Sequence, residues 1–140
     1  MAKFFTAKIE GREKVMARLN AVLPETEKEL AAVQMEVGND LAERIAARAP
    51  VKTGRYRDSI MAARLQDMPK KGRNAAVAAS TKDKNAVGIY AEFIWRFLEY
   101  GTAKQSAQPH ILPTYRGQRK TIRRKMAAAV NKAVRKARAK

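Results

Sequence analysis

One histidine, a serine beside an aspartate and two glutamates seven positions apart are the residues of this chain that could do acid–base or nucleophilic chemistry. His110 follows a proline and has no acid near it in sequence, so its imidazole reads as a packed or surface group. Ser59 lies beside Asp58, but nothing around it forms the strained strand-to-helix turn of a nucleophile elbow. Glu92 and Glu99 would work as an acid–base pair only inside a cleft that raises a carboxyl pKa. On a helix they share one polar stripe, facing solvent or a neighbouring subunit. With no cysteine and one imidazole, thiolate nucleophiles, disulfides and Cys- or His-rich metal sites are excluded. Gly101 and Gly117 stand alone, so no phosphate-cradling loop exists. No enzyme and no cofactor are expected.

Charge is the stronger chemical signal. The 30 basic and 13 acidic residues give +17. Residues 1–99 hold 18 bases and all 13 acids, whereas residues 100–140 hold 12 bases and no acid. Arg116, Arg119, Lys120, Arg123, Arg124, Lys132, Arg135 and Lys136 crowd one segment. Such a segment suits a polyanion or an acidic partner surface, or serves as a solvated face. No aromatic platform is interleaved with it and no helix-turn-helix or zinc-finger spacing appears. Contact with DNA would therefore touch phosphates without reading bases.

The elements that must carry these residues follow from periodicity. Ile9 to Leu23 repeats at helical spacing until Pro24, where Thr26 and Glu29 resemble a capping box. A second helix runs from about Glu25 to Arg48 on the stripe Leu30, Val33, Val37, Leu41 and Ile45, and Pro50 ends it. Pro50 and Gly54 mark a turn, with Thr53 able to cap a short helical turn through Asp58. Ile60–Gln66, Ala75–Ser80 and Ala86–Ile89 read as short strands, with a polar hairpin tip at Pro69–Asn74. Tyr90–Tyr100 reads as a helix with Tyr90, Phe93, Ile94, Phe97 and Leu98 inward, Glu92 pairing with Arg96, and Gly101 terminating it. Gln108 and Leu112 precede prolines and should be extended. Pro113 then opens a last helix with Tyr115, Ile122, Met126, Ala129, Val130 and Ala133 on its apolar side.

These elements predict an α+β fold. A long N-terminal amphipathic helix and a basic C-terminal helix pack on a small antiparallel sheet of about three to four strands. The length suits a single domain over 1–140, with a helical part at 9–48, sheet, short helix and loops at 49–112, and the basic helix at 113–138. The first residues lack a signal peptide's hydrophobic run and no stretch is apolar enough to span a bilayer. A cytoplasmic, soluble chain without a membrane partner is expected.

The order of Ala49-Pro50-Val51-Lys52-Thr53-Gly54, Arg57-Asp58-Ser59-Ile60, Tyr90-Ala91, Phe97-Leu98-Glu99-Tyr100-Gly101-Thr102, Ala107-Gln108-Pro109 and Leu112-Pro113 resembles the small neck proteins of long-tailed bacteriophages, the tail-completion or head–tail joining family. The likeness spans roughly residues 9–135. It marks Pro50, Thr53, Gly54, Ser59, Tyr90, Glu99, Gly101, Thr102, Pro109 and Pro113 as motif positions of architectural weight. The chain departs from the pattern at His110 and Leu112, where members usually carry phenylalanine and arginine.

The resemblance implies a structural virion protein, assembled in the bacterial host cytoplasm, that forms a ring around the DNA channel at the head–tail junction. A head-to-tail interface closing on about six copies is favoured over about twelve. Connector or stopper proteins and tail-terminator or tail-tube proteins would be its neighbours, with non-specific contact to genomic DNA. Glu99 would pair with a basic residue across a subunit boundary. The rival readings are a sequence-independent nucleic-acid-binding protein using the basic helix, and an assembly factor absent from the finished particle.

Overall fold

The longest run of helical periodicity becomes the longest element. In the computed structural model, which describes residues 12–67 and 85–139, helix α1 spans Arg12–Arg48. Val37, Leu41 and Ile45 of the apolar stripe are buried, and Ala31, Ala42 and Ala49 widen it. Pro24 lies inside α1 rather than between two helices, which corrects the break expected there. A proline removes one backbone hydrogen bond at a cost of about 3 kcal/mol. Strong helix formers on both sides, Ala21 and Leu23 before it and Glu25 to Leu30 after it, carry the helix through. Thr26 is therefore interior and is no N-cap, and Glu29 reaches instead to Lys136. The expected start at Ile9 lies outside the described residues.

After α1 the chain turns at Pro50 into α2, Arg55–Ser59. Gly54, at φ 82°, occupies the N-cap position without a side-chain cap, and Thr53 is exposed. The turn needs a left-handed residue directly before the helix, so glycine takes the place expected for the threonine hydroxyl.

Strands β1, Met61–Arg64, and β2, Val87–Tyr90, pair antiparallel with Met61 opposite Tyr90 and Arg64 opposite Val87. The fold is α+β, with two strands among the described residues where three to four were expected. The strand expected at 75–80 and the hairpin tip at 69–74 lie outside those residues. α1 crosses this sheet closely: a Cβ on Gly38 would stand 2.6 Å from Val87 Cγ1. Only glycine leaves room for that approach.

Helix α3 covers Trp95–Tyr100 alone. Tyr90 remains in β2, and the Glu92 backbone N–H bonds Ser59 Oγ at 3.0 Å, so the longer helix expected from Tyr90 is shortened at its start. α4 spans Ile111–Arg138 and lies along α1 in the most extensive contact between elements. Its buried Ala129 and Ala133 allow the close approach. Leu41, Ile45, Tyr56, Ile89, Trp95 and Ile111 form the centre of the core. No described helix is long and apolar enough to cross a membrane.

Candidate functional site

The motif segments meet where α2, α3, the loop after it and the start of α4 converge. Glu99 is the centre of this junction and is only 4% exposed. Its Oε2 accepts the backbone N–H groups of His110 and Ile111 at 2.9 and 3.0 Å, and its Oε1 accepts that of Leu112 at 2.9 Å. A helix begins with four N–H groups that have no partner within it. In α4 these belong to His110, Ile111, Leu112 and Pro113, and proline has none. One carboxylate therefore satisfies every orphan donor of α4, and it also lies at the positive end of the helix dipole.

This placement corrects two expectations. Glu99 faces inward and has no access to a neighbouring subunit, because burial is repaid by three charge-assisted hydrogen bonds. Leu112 is helical rather than extended, since α4 begins before Pro113 and a proline in the first turn displaces no hydrogen bond. The facing of α3 changes in part, with Leu98 packed against the core as expected. Trp95 and Glu99, four residues apart, turn inward, while Phe93, Ile94 and Phe97 are exposed. Glu92 pairs with Arg55 at 2.7 Å rather than with Arg96, whose guanidinium lies over the Phe93 and Trp95 rings.

His110 sits beside Glu99, with Nδ1 at 3.5 Å from Oε2 and its ring 2% exposed. Nδ1 donates to the Gln108 carbonyl at 2.9 Å, so Nε2 accepts from the Tyr56 hydroxyl at 2.7 Å. Burial, and then the Glu99 carboxylate, push the Tyr56 hydroxyl above the ordinary tyrosine range and keep it a donor. Thr114 Oγ1 donates to the His110 carbonyl at 2.6 Å, and Ser59 Oγ donates to the Tyr56 carbonyl at 2.6 Å. Glu99, His110 and Tyr56 thus superficially resemble an acid–base relay. Their polar atoms are spent on one another and on backbone groups, under a cover that admits no substrate. The imidazole is the packed group that the sequence allows.

Above this knot lies an open groove of about 700 Å³. Pro50, Thr53 and Gly54 form one wall, Ile94, Phe97 and Leu98 the other, and Gln105 and Gln108 close one side. Val51 is 61% exposed, Phe93 52% and Phe97 44%, and the two phenylalanine rings meet edge to face at 5.5 Å. Aromatic and apolar side chains are thus left in contact with water at the edge of the groove. Among the described residues, no cluster of His, Asp and Glu could hold a metal ion.

The comparison with protein families decides the relationship. Residues 13–101 match the family described as "Bacteriophage HK97-gp10, putative tail-component". The chain belongs to this HK97-gp10-like family. Neither a curated protein nor a solved structure gives a match. The bacteriophage tail-component family is a structural one, and the matched span ends at the terminus of α3, before α4.

Within this tail component the motif positions divide. Pro50, Thr53 and Gly54 line the groove, while Ser59, Glu99 and Pro113 build the knot beneath it. Gly101 ends α3 at φ 76°, with its N–H on the Phe97 carbonyl at 2.9 Å, as expected for a terminating glycine. Thr102 bridges to Gln105 and Pro109 is exposed, neither touching the groove. Tyr90 is buried in β2, apart from both. The eight basic residues lie on α4: Lys132 and Lys136 face Glu29 of α1, and the other six point outward. Tyr56 and Trp95 carry the junction, and Gly38 the crossing of α1 over the sheet, without having been singled out in the sequence. The proline that completes the cap of α4 is the one letter that pointed to it.

Proposed function

We propose that this tail component is a neck subunit of the virion, closing as a ring around the DNA channel and joining the connector to the tail tube. The observation that carries the proposal is the exposed apolar edge of the groove, Val51, Ile94 and Phe97, with the exposed Phe93 ring packed edge-on against Phe97. A ring subunit needs a surface that is unfavourable in water alone and satisfied by a neighbour. Pro50, Thr53 and Gly54 line that surface, and Ser59, Glu99 and Pro113 hold it from beneath. Head-to-tail contact through it closes into a ring of about six copies, with each chain one folded unit.

Light scattering and negative-stain imaging of the protein, alone and mixed with the connector and tail-tube proteins, test this. A ring is expected, alone or on its neighbours, and Phe97→Asp should abolish it while leaving the fold intact. A wild-type chain that stays monomeric in every mixture would overturn the proposal. Peptides of the protein should also be found in purified virions; their absence would favour an assembly factor.

A further inference from the structure

The bases of α4 fall into two chemical sets that the sequence does not separate. The inner set is lysine: Lys125 lies 3.9 Å from Glu36, Lys132 4.0 Å from Glu29, and Lys136 hydrogen-bonds Glu29. The outer set is mainly arginine: Arg116, Arg119, Lys120, Arg123 and Arg124, continued by Arg135 and Arg138. All seven are exposed and, among the described residues, none has an acidic partner. Glu29 and Glu36 of α1 are thus spent on the inner lysines, and the outer stripe is left for an anion from outside.

We propose that this outer stripe of α4 is a contact surface for the phosphate backbone of duplex DNA. Arginine's planar fork matches phosphate oxygens two at a time, which an ammonium cannot do. At 1.5 Å per residue, Arg116 to Arg138 covers about 33 Å of a rigid helix, close to the length of one duplex turn. The small residues between the arginines, Ala127, Ala128 and Asn131, are exposed. The stripe has no aromatic anchor of the kind that forms the dry centre of a protein interface. It has no stacking platform for unpaired bases either, which selects a duplex over a single strand. The aromatic anchors are on α3 and the turn before it, so protein contact and DNA contact occupy different surfaces. A single copy carries the whole stripe, and α4 lies outside the residues matched to the family. The inference therefore stands apart from ring formation.

The test is fluorescence anisotropy of the full chain with labelled duplexes of two unrelated sequences, between about 50 and about 200 mM salt. Five engaged phosphates give a slope of log K against log salt of about −4.5, the same for both sequences. R119Q/R123Q/R124Q should make that slope shallower by about 3 and weaken binding at least about tenfold. K125Q/K132Q/K136Q removes the same charge from the inner set and should leave the slope unchanged. If this inner triple loses helix by circular dichroism, R119Q against K132Q makes the same comparison. Equal losses in both variants would reduce the effect to net charge and overturn the assignment. So would a slope near zero, a preference for one sequence, or displacement of DNA by an acidic tail or connector protein.

Discussion

The two ends of α4 are tied to the rest of the molecule by opposite uses of charge. At its start a single buried carboxylate, Glu99, accepts three backbone N–H groups. Towards its end, Glu29 and Glu36 of α1 meet Lys125, Lys132 and Lys136 where water can reach them. In the first case both desolvated partners are fixed and neither has an alternative. In the second, solvent competes for every contact and long side chains must be ordered to make it. The start of α4 is therefore a folding determinant, and the seam along α1 chiefly neutralises charge.

The sharpest break of that contrast is Glu99→Leu. It strands three amide donors in the interior and should cost about 3 kcal/mol or more, read by denaturant unfolding. Glu99→Gln keeps one carbonyl acceptor but turns an NH₂ towards the remaining donors, so its loss should be intermediate. A leucine variant as stable as the parent would remove the cap from the account. Gly101→Val comes next. At φ 76° a Cβ would stand 2.8 Å from the Ala107 backbone nitrogen, where no side chain can yield. A loss of about 2–3 kcal/mol is expected, with the loop between Thr102 and Pro109 displaced from α3.

Tyr56→Phe probes the outer layer of the same knot. It leaves His110 Nε2 without a donor and should cost about 1–2 kcal/mol. It also carries a pH signature. The folded-state hydroxyl titrates above its unfolded value, so the folded state holds the proton longer. Its contribution is whole below about pH 10, the ordinary tyrosine value, and falls as pH rises beyond it. The phenylalanine variant should lack that part of the alkaline decline in melting temperature.

These buried terms explain what could be read from the sequence. The second half of α1, the two strands and the apolar side of α4 follow from periodicity, which is local. The orientation of α3 does not. A glutamate is placed outward by default, and Glu99 turns inward only because backbone amides eleven to thirteen residues later need an acceptor. Amides carry no residue-type signature. The Tyr56–His110 hydrogen bond joins positions 54 residues apart, beyond any spacing rule. The motif turns and Gly101 were legible because left-handed backbone selects glycine. The groove they build was hidden as well, since Phe93 and Phe97 read as core but stay exposed once Trp95 and Glu99 turn inward.

Glu29→Gln tests the weak end of the comparison. The hydrogen bond and charge of Lys136, with Lys132 adding to it, hold the Glu29 carboxyl below its ordinary range. A depressed carboxyl contributes stability above its unfolded pKa and loses it as pH falls through the folded one. The parent should therefore lose a little more melting temperature than the glutamine variant between neutral and acid pH. The difference should shrink as salt is added, because exposed charges are screened within about a Debye length. The same salt should leave the deficit of Glu99→Gln almost untouched, because ions do not enter the junction. Equal salt sensitivity at both positions would mean that water reaches Glu99 as freely as Glu29, and the distinction between the two ends of α4 would disappear.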